Sequence, residues 1–396
     1  MTFRKNVLAS ALAVAVGSVV AGNAVAANPQ RLVVNLTGGA DAAAIAAQLE
    51  AAPGVEVVRV FDDFNAISVR VDADVADPSL ASLAGIKSYE LDAPRKVLAD
   101  SYEDVTDGGE TIPWGIQAVQ AGDVSYMGGK KVCIVDTGYD LGHPDLQTVG
   151  VDGEDEGAGA WNGSADAPLH YHGTHVAGTI AAIDDDDGVV GVVGDGTLDL
   201  HIVRVFDEGG GFVYASDLAG AMLDCAAAGS DIISMSLGSV VESRVERQVT
   251  HKLDRQGVLL IAAAGNDGNA TFSYPASYDS VVSVAAVDND LVHAGFSQRN
   301  AAVQLAGPGV DTVSTVPRSE GFLYGIASGT SMATPHVAGV AALVWSNVPS
   351  CSNHELLEAL DASARDLGTA GWDYRYGYGL VQARAAVDYL AANPCN

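Results

Sequence analysis

Three side chains in this sequence sit in glycine-bearing contexts suited to nucleophilic catalysis. They are Asp136 in Val135-Asp136-Thr137-Gly138, His172 at the head of His172-Gly173-Thr174-His175-Val176-Ala177-Gly178-Thr179, and Ser331 in Gly329-Thr330-Ser331-Met332-Ala333-Thr334-Pro335. A serine hydroxyl is a poor nucleophile at neutral pH. It needs a base to take its proton and a carboxylate to hold that base in the right tautomer. The three groups must meet in space, so their separation along the chain is no objection. Blander readings compete at each position. A serine ahead of a helical run is commonly only an N-cap. His172 and His175 form a His-x-x-His pair, but a zinc peptidase helix needs His-Glu-x-x-His with the glutamate as base, and no such run occurs. An esterase of the α/β-hydrolase type needs Gly-x-Ser-x-Gly and the order Ser, Asp, His. Here Ala333 stands where the second glycine should be, and the order is Asp, His, Ser.

The elements that must carry these residues alternate. Short Val/Ile/Ala-rich runs at 132–136, 200–205, 231–236, 258–263 and 281–287 predict strands of a parallel sheet buried on both faces. Helical patterns fall at 172–183, 215–228, 245–256, 331–345 and 353–364. Such alternation predicts a doubly wound, mainly parallel α/β fold, in which ligands bind at the carboxyl ends of the strands. Asp136 ends the first of these strands, and Asn266, in Ala264-Gly265-Asn266-Asp267-Gly268, follows the fourth. Asp140, His170 and His175 lie near the candidate triad. Asp140 and His170 are expected at the surface and His175 in a structural role.

Before this body the pattern is strand 31–36, helix 41–52, strands 55–61 and 66–71, helix 78–85 and strand 88–91. That is the order of a small ferredoxin-like α+β domain. Residues 100–110 are acidic and without periodicity, so they read as a linker. At the start, Arg4 and Lys5, an apolar run from Val7 to Val20 and Ala24-Val25-Ala26 form a secretory signal of the bacterial type. No later stretch reads as a membrane span. The net charge of −30, from 50 acidic against 20 basic residues, argues against nucleic acid or an anionic membrane as partner. The four cysteines allow three pairings. Cys351 and Cys395 flank the C-terminal region and are expected to bridge. Cys133, in an apolar strand, and Cys225, in an Ala-rich helix, are expected to be buried thiols rather than a bridge.

The stretches around His172 and Ser331, the latter continuing as Pro335-His336-Val337-Ala338-Gly339, resemble the signatures of the subtilase family of serine peptidases, in that family's order. The resemblance covers roughly 110–385. It implies a secreted, monomeric serine endopeptidase made as a preproenzyme: signal peptide 1–26, inhibitory propeptide 27–98, acidic linker 99–110 and peptidase domain 111–396. It implies Ser331 as nucleophile, His172 as general base, Asp136 as orienting carboxylate and Asn266 as oxyanion donor. It further implies protein substrates held between backbone stretches, with Ser236, Leu237 and Gly238 on one side of the primary pocket, Gly209, Gly210 and Gly211 on the other, and Ser273 in its far wall. Little charge projects there, so apolar or aromatic side chains and broad specificity are expected. The run Asp184-Asp185-Asp186-Asp187-Gly188 resembles a calcium loop of the family, although charge runs are usually solvated turns. Ca²⁺ would take side chains of Glu110, Asp145 and Asp185 and carbonyls of Ile183, Asp187 and Val189. The propeptide is expected to inhibit the enzyme in cis and to be cut near Leu98-Ala99, with Tyr102 as the alternative. A catalytically dead member acting as a binding module is the rival reading, and hydrolysis of a casein film separates the two.

Overall fold

The computed structural model describes residues 29–72, 83–99, 102–104 and 109–395. The segment read as a secretory signal and most of the helix expected at 78–85 lie outside them. The N-terminal unit is a four-stranded antiparallel sheet, β1 (Gln30–Leu36), β2 (Val55–Phe61), β3 (Ala66–Val71) and β4 (Ile86–Leu91), in the order β2–β3–β1–β4. Helix α1 (Ala42–Glu50) starts at Asp41, whose carboxylate accepts the Ala44 amide at 3.0 Å. Strands β5 (Pro94–Val97) and β6 (Tyr102–Asp104) follow. β6 lies within the stretch read as linker. It pairs antiparallel with a later strand, Tyr324–Ala327, so its order comes from a partner distant in sequence and leaves no local pattern.

The body begins with α2 (Trp114–Ala118) and is built on a seven-stranded parallel sheet. Its strands are β7 (Lys131–Asp136), β9 (Val151–Asp155), β11 (Asp199–Arg204), β13 (Ile232–Met235), β15 (Leu259–Ala263), β16 (Val282–Val287) and β17 (Val303–Pro308). Their order is β17–β16–β15–β13–β7–β11–β9, two strands more than the apolar runs indicate. β7 shows why those runs lack alternation. Val132 and Ile134 enter one core, while Cys133 and Val135 enter the other. Helices α3 (Tyr171–Ala181), α6 (Thr330–Asn347), α7 (Asn353–Ser363) and α8 (Ala383–Ala392) share the first core; α4 (Ala215–Ala227) and α5 (Arg244–Arg255) cover the second. This is the doubly wound α/β fold expected. The small strands β8 (Tyr139–Asp140) and β10 (Asn162–Gly163) pair beside the sheet's carboxyl end. β12 (Phe212–Tyr214), β14 (Leu237–Gly238), β18 (Thr312–Thr315) and β19 (Tyr324–Ala327) complete the set. No helix among the described residues is long and apolar enough to cross a membrane.

α6 is buried on all sides from Thr330 to Ser346, as suits a central core helix. Pro335 lies inside it and has no N–H to give the Ser331 carbonyl. That carbonyl instead accepts the Ser236 hydroxyl at 2.8 Å, which ties the start of α6 to the end of β13.

Two cystine bridges are present. Cys351–Cys395 joins the start of α7 to the C-terminal tail, as expected. Cys133–Cys225 corrects the reading of two free thiols: α4 packs on β7 and brings the two Cα atoms to 5.7 Å, a bridging distance.

The N-terminal unit sits on α4 and α5. Val33, Phe61, Phe64 and Ala66 join the core beneath these helices. Neither helix has a side-chain cap of its own. Asp92 accepts the Ser216 amide at 3.0 Å and its hydroxyl at 2.6 Å, and Glu90 accepts the Arg244 amide at 3.1 Å. Carboxylates of the N-terminal unit therefore occupy the positive ends of both helices.

Candidate active site

Asp136 is the last residue of β7, at the carboxyl edge of the sheet, and His172 lies in the first turn of α3. Both are fully buried. His172 Nδ1 lies 2.8 Å from Asp136 Oδ1 and 3.0 Å from Oδ2. The Thr137 amide donates to Asp136 Oδ1 at 2.7 Å, which fixes the carboxylate. The Thr137 hydroxyl donates to the His170 carbonyl at 2.9 Å and accepts the Gly173 amide at 2.8 Å, which fixes the helix start against β7. The glycine after His172 is required sterically, because a Cβ there would strike the Gly138 carbonyl.

Ser331 is the second residue of α6, so its amide belongs to the free N–H groups of a helix start. Its hydroxyl donates to the Ser236 carbonyl at 2.8 Å and accepts the Leu98 amide at 3.1 Å. His172 Nε2 is buried and makes no hydrogen bond among the described residues. The Asp136–His172 pair is thus formed, while the serine hydroxyl is turned toward the chain segment seated beside it. Asn266 follows Gly265, whose φ of 113° favours glycine. Asn266 Oδ1 accepts the Thr330 amide at 3.0 Å and the Thr330 hydroxyl at 2.7 Å. That fixes the side-chain amide and aims Nδ2 outward.

Two donors converge on one atom. Asn266 Nδ2 lies 2.7 Å from the Leu98 carbonyl oxygen, and the Ser331 amide lies 3.2 Å from it. Leu98 arrives there because β5 is the middle strand of an antiparallel three-stranded sheet between β12 and β14. Arg95 pairs with Val213, Lys96 with both Phe212 and Gly238, and Val97 with Leu237. The Leu98 amide also donates to the Ser236 carbonyl at 3.2 Å. Leu98 is 6% exposed. A Cβ on Gly238 would come within 2.7 Å of Ser273 Oγ and 3.1 Å of Leu98 Cδ1, so the glycine leaves the room that Leu98 fills.

The neighbouring residues differ in part from expectation. The edge that pairs with the tail is Phe212–Tyr214, whereas Gly209, Gly210 and Gly211 form the turn before it, where Asp207 accepts the amides of Gly209 and Gly211 at 3.0 and 3.2 Å. Asp140 is not at the surface. It is fully buried and forks onto Arg318, with Oδ1 2.8 Å from Nη2 and Oδ2 3.0 Å from Nε. His170 is half-buried at the N-cap of α3, with its ring centroid 6.4 Å from that of His172. His175 is buried with Nε2 near the Thr312 and Gly325 carbonyls, at 3.1 and 3.2 Å. Burial, followed by the charge of His172, pushes its pKa down to about 3, so it stays neutral. Glu246 in α5, which the sequence reading passed over, is fully buried against the tail.

The loop after α3 carries the candidate cation site. Asp145 Oδ2 accepts the Val189 amide at 2.9 Å, while Oδ1 is buried without a hydrogen-bond partner among the described residues. Burial, opposed by that amide bond, pushes the Asp145 carboxyl up to about 7. Glu110 Oε1 accepts the amides of Asp185 and Asp186 at 2.9 and 3.1 Å. No hydrogen bond among the described residues ends on the carbonyls of Ile183, Asp187 or Val189. An unpartnered buried carboxylate oxygen beside free carbonyls is a donor set that fits a hard cation. No cluster of three His, Cys, Asp or Glu side chains suited to a metal occurs among the described residues, so carbonyls would carry much of the coordination.

Residues 128–379 match the model of the subtilase family. Over 287 residues the chain is 38% identical to subtilisin DY of Bacillus licheniformis, covering 70% of this chain and 99% of that one. It is 36% identical to the M-protease of Shouchella clausii over 337 residues, covering 84% and 82%. The crystal structure of the psychrophilic subtilisin-like protease Apa1 from an Antarctic Pseudoalteromonas superposes with a TM-score of 0.65 at 32% identity, over 72% of this chain and 98% of that one.

Proposed function

The chain belongs to the subtilase family and is a serine endopeptidase, and we propose that it acts through Asp136, His172 and Ser331, first on its own Leu98–Ala99 bond and then on extended protein segments seated as residues 94–98 are. The observation that carries this reading is the Leu98 carbonyl oxygen held between Asn266 Nδ2 and the Ser331 amide. Two donors on one carbonyl are what a developing oxyanion needs. The same residue places its amide on Ser331 Oγ.

The reaction begins when Ser331 Oγ turns from the Ser236 carbonyl to His172 Nε2. That nitrogen takes the proton as Oγ bonds to the Leu98 carbonyl carbon. Asp136, on Nδ1, keeps the Nδ1–H tautomer and stabilises the imidazolium. The negative oxygen rests on Asn266 Nδ2 and the Ser331 amide. His172 then gives its proton to the Ala99 nitrogen, the C–N bond breaks, and Leu98 remains as an ester on Ser331. Water, deprotonated by the same base, releases the acid. Leucine at the cut, the glycine at 238 and Ser273 support a preference for apolar side chains at that position.

Asn266→Ala tests the assignment of the oxyanion donor. Its kcat on a peptide ending in leucine should fall by about 10²–10³ with KM little changed, a magnitude taken from subtilisin, a relative of this chain. A fall of less than about threefold removes Asn266 from the role.

Residues 1–26 are read as the export signal and 27–98 as the propeptide, which inhibits by occupying the cleft. Ca²⁺ is read into the loop, held by Asp145, Asp185, Glu110 and the carbonyls of Ile183, Asp187 and Val189. When bound, the ion supplies positive charge to a buried carboxylate whose second oxygen otherwise lacks a partner, and closes the loop on itself. It takes no part in bond cleavage. Chelation should therefore lower the melting temperature of a Ser331→Ala chain, the lost stability being about 2.7 kcal/mol where free calcium had stood a hundredfold above its Kd. Asp145→Ala should melt at the chelated temperature with or without calcium. An unchanged melting curve on chelation rules the site out.

A further inference from the structure

Three residues before Leu98, the tail buries a charge. Arg95 pairs with Val213 in register and is wholly enclosed, as is Glu246 of α5. Arg95 Nε donates to Glu246 Oε1 at 3.0 Å and Nη2 to Oε2 at 2.8 Å, a two-bonded fork. Burial works against the guanidinium charge, but Glu246 more than offsets this and holds its pKa above the usual value. The Tyr278 hydroxyl lies 2.7 Å from the same Oε2 and closes the far side.

Arg95 and the Tyr278 hydroxyl are the side-chain partners of Glu246 among the described residues. Glu246 is the third residue of α5, where a glutamate ordinarily returns a bond to the N-cap amide. Here the Ser243 amide donates to the Tyr278 hydroxyl at 2.9 Å, and the next amide, of Arg244, donates to Glu90. The carboxylate is left facing the cleft. When the propeptide leaves, it lines the position four residues before the cut.

We propose that Glu246 makes that position an arginine-selecting subsite, so that preferred substrates are extended segments with arginine three residues ahead of a leucine-like residue at the cut. The inference rests on the reading of residues 94–98 as a substrate-like segment. A guanidinium satisfies both carboxylate oxygens at once. An ammonium is a point charge without that fork, and a neutral side chain leaves the carboxylate unpaired. The acidic excess of the chain, most of which lies after residue 98, adds a field that draws basic segments toward the cleft.

The test uses the mature wild-type enzyme and acetylated peptides X-Lys-Val-Leu carrying a chromogenic amide, with X as arginine, lysine, norleucine or glutamate. For arginine over norleucine, kcat/KM should be roughly thirtyfold higher or more, with lysine between and glutamate lowest. Glu246→Gln should bring the arginine-to-norleucine ratio close to one. It is made with Arg95→Gln in the precursor, so that the propeptide does not bury an unpaired charge. Ready cleavage of all four peptides by wild type at similar rates overturns the inference and leaves the peptidase reading intact. Cleavage of none overturns both. An arginine preference that survives Glu246→Gln overturns the assignment to this residue.

Discussion

Ser331→Ala should reduce peptide hydrolysis by about 10⁶ in kcat and leave the chain as an uncut precursor. The magnitude is that of subtilisin, where loss of the serine or the histidine alone costs nearly as much as loss of the whole triad. In this chain the reason is local. The Leu98 carbonyl already lies on its two donors, so the variant keeps binding and oxyanion contacts but has no atom to form the ester. Adding His172→Ala should cost little more, because a base with no nucleophile to serve contributes nothing. The fold should persist: among the described residues the hydroxyl's partners are the Leu98 amide and the Ser236 carbonyl, at the edge of a core that α6 fills with other residues. Turnover within tenfold of wild type in a protease-free preparation would remove Ser331 from the chemistry.

Asp136→Asn should lower kcat by about 10⁴. Asp136 Oδ1 accepts the Thr137 amide at 2.7 Å, so an asparagine will keep its oxygen there. Its NH₂ then takes the position of Oδ2, which lies 3.0 Å from His172 Nδ1. The retained oxygen still lies 2.8 Å from Nδ1, but the donor beside it competes for that nitrogen and favours the tautomer with the proton on Nε2, and the negative charge that stabilised the imidazolium is gone. Geometry and melting temperature should change little while turnover collapses and precursor processing slows in proportion. Loss of activity of less than tenfold would mean that Asp136 does not set the tautomer.

The parts of the site that could be read without coordinates are those carried by contiguous motifs. His172 to Thr179 and Gly329 to Pro335 bring their steric reasons with them: Gly173 against Gly138, and Pro335 freeing the Ser331 carbonyl for Ser236. The parallel strands were legible because burial on both faces leaves near-continuous apolar runs. What escaped depends on partners distant in sequence. Asp140 resembles any surface aspartate until Arg318, 178 residues away, closes on it. Pro94–Val97 has no strand pattern, since it is ordered only between β12 and β14. Cys133 and Cys225 look like two small core residues until α4 is laid over β7. Glu246 reads as an acidic residue in the first turn of a helix, a common and unremarked placement. Only Arg95, 151 residues before it, shows which way it faces. The expected glycine edge at 209–211 was three residues early, because the glycines make the turn that precedes β12 rather than the pairing edge itself.

Residues 94–98 should be the enzyme's own first substrate. Intact mass of the fragment released on maturation tests it most directly, with the wild-type and Ser331→Ala chains expressed side by side in a host lacking other extracellular proteases. Wild type should yield a fragment ending at Leu98 and a complementary chain beginning at Ala99 before any later trimming, and Ser331→Ala should yield neither. Release of the same fragment from Ser331→Ala, or a wild-type fragment ending elsewhere, would contradict it.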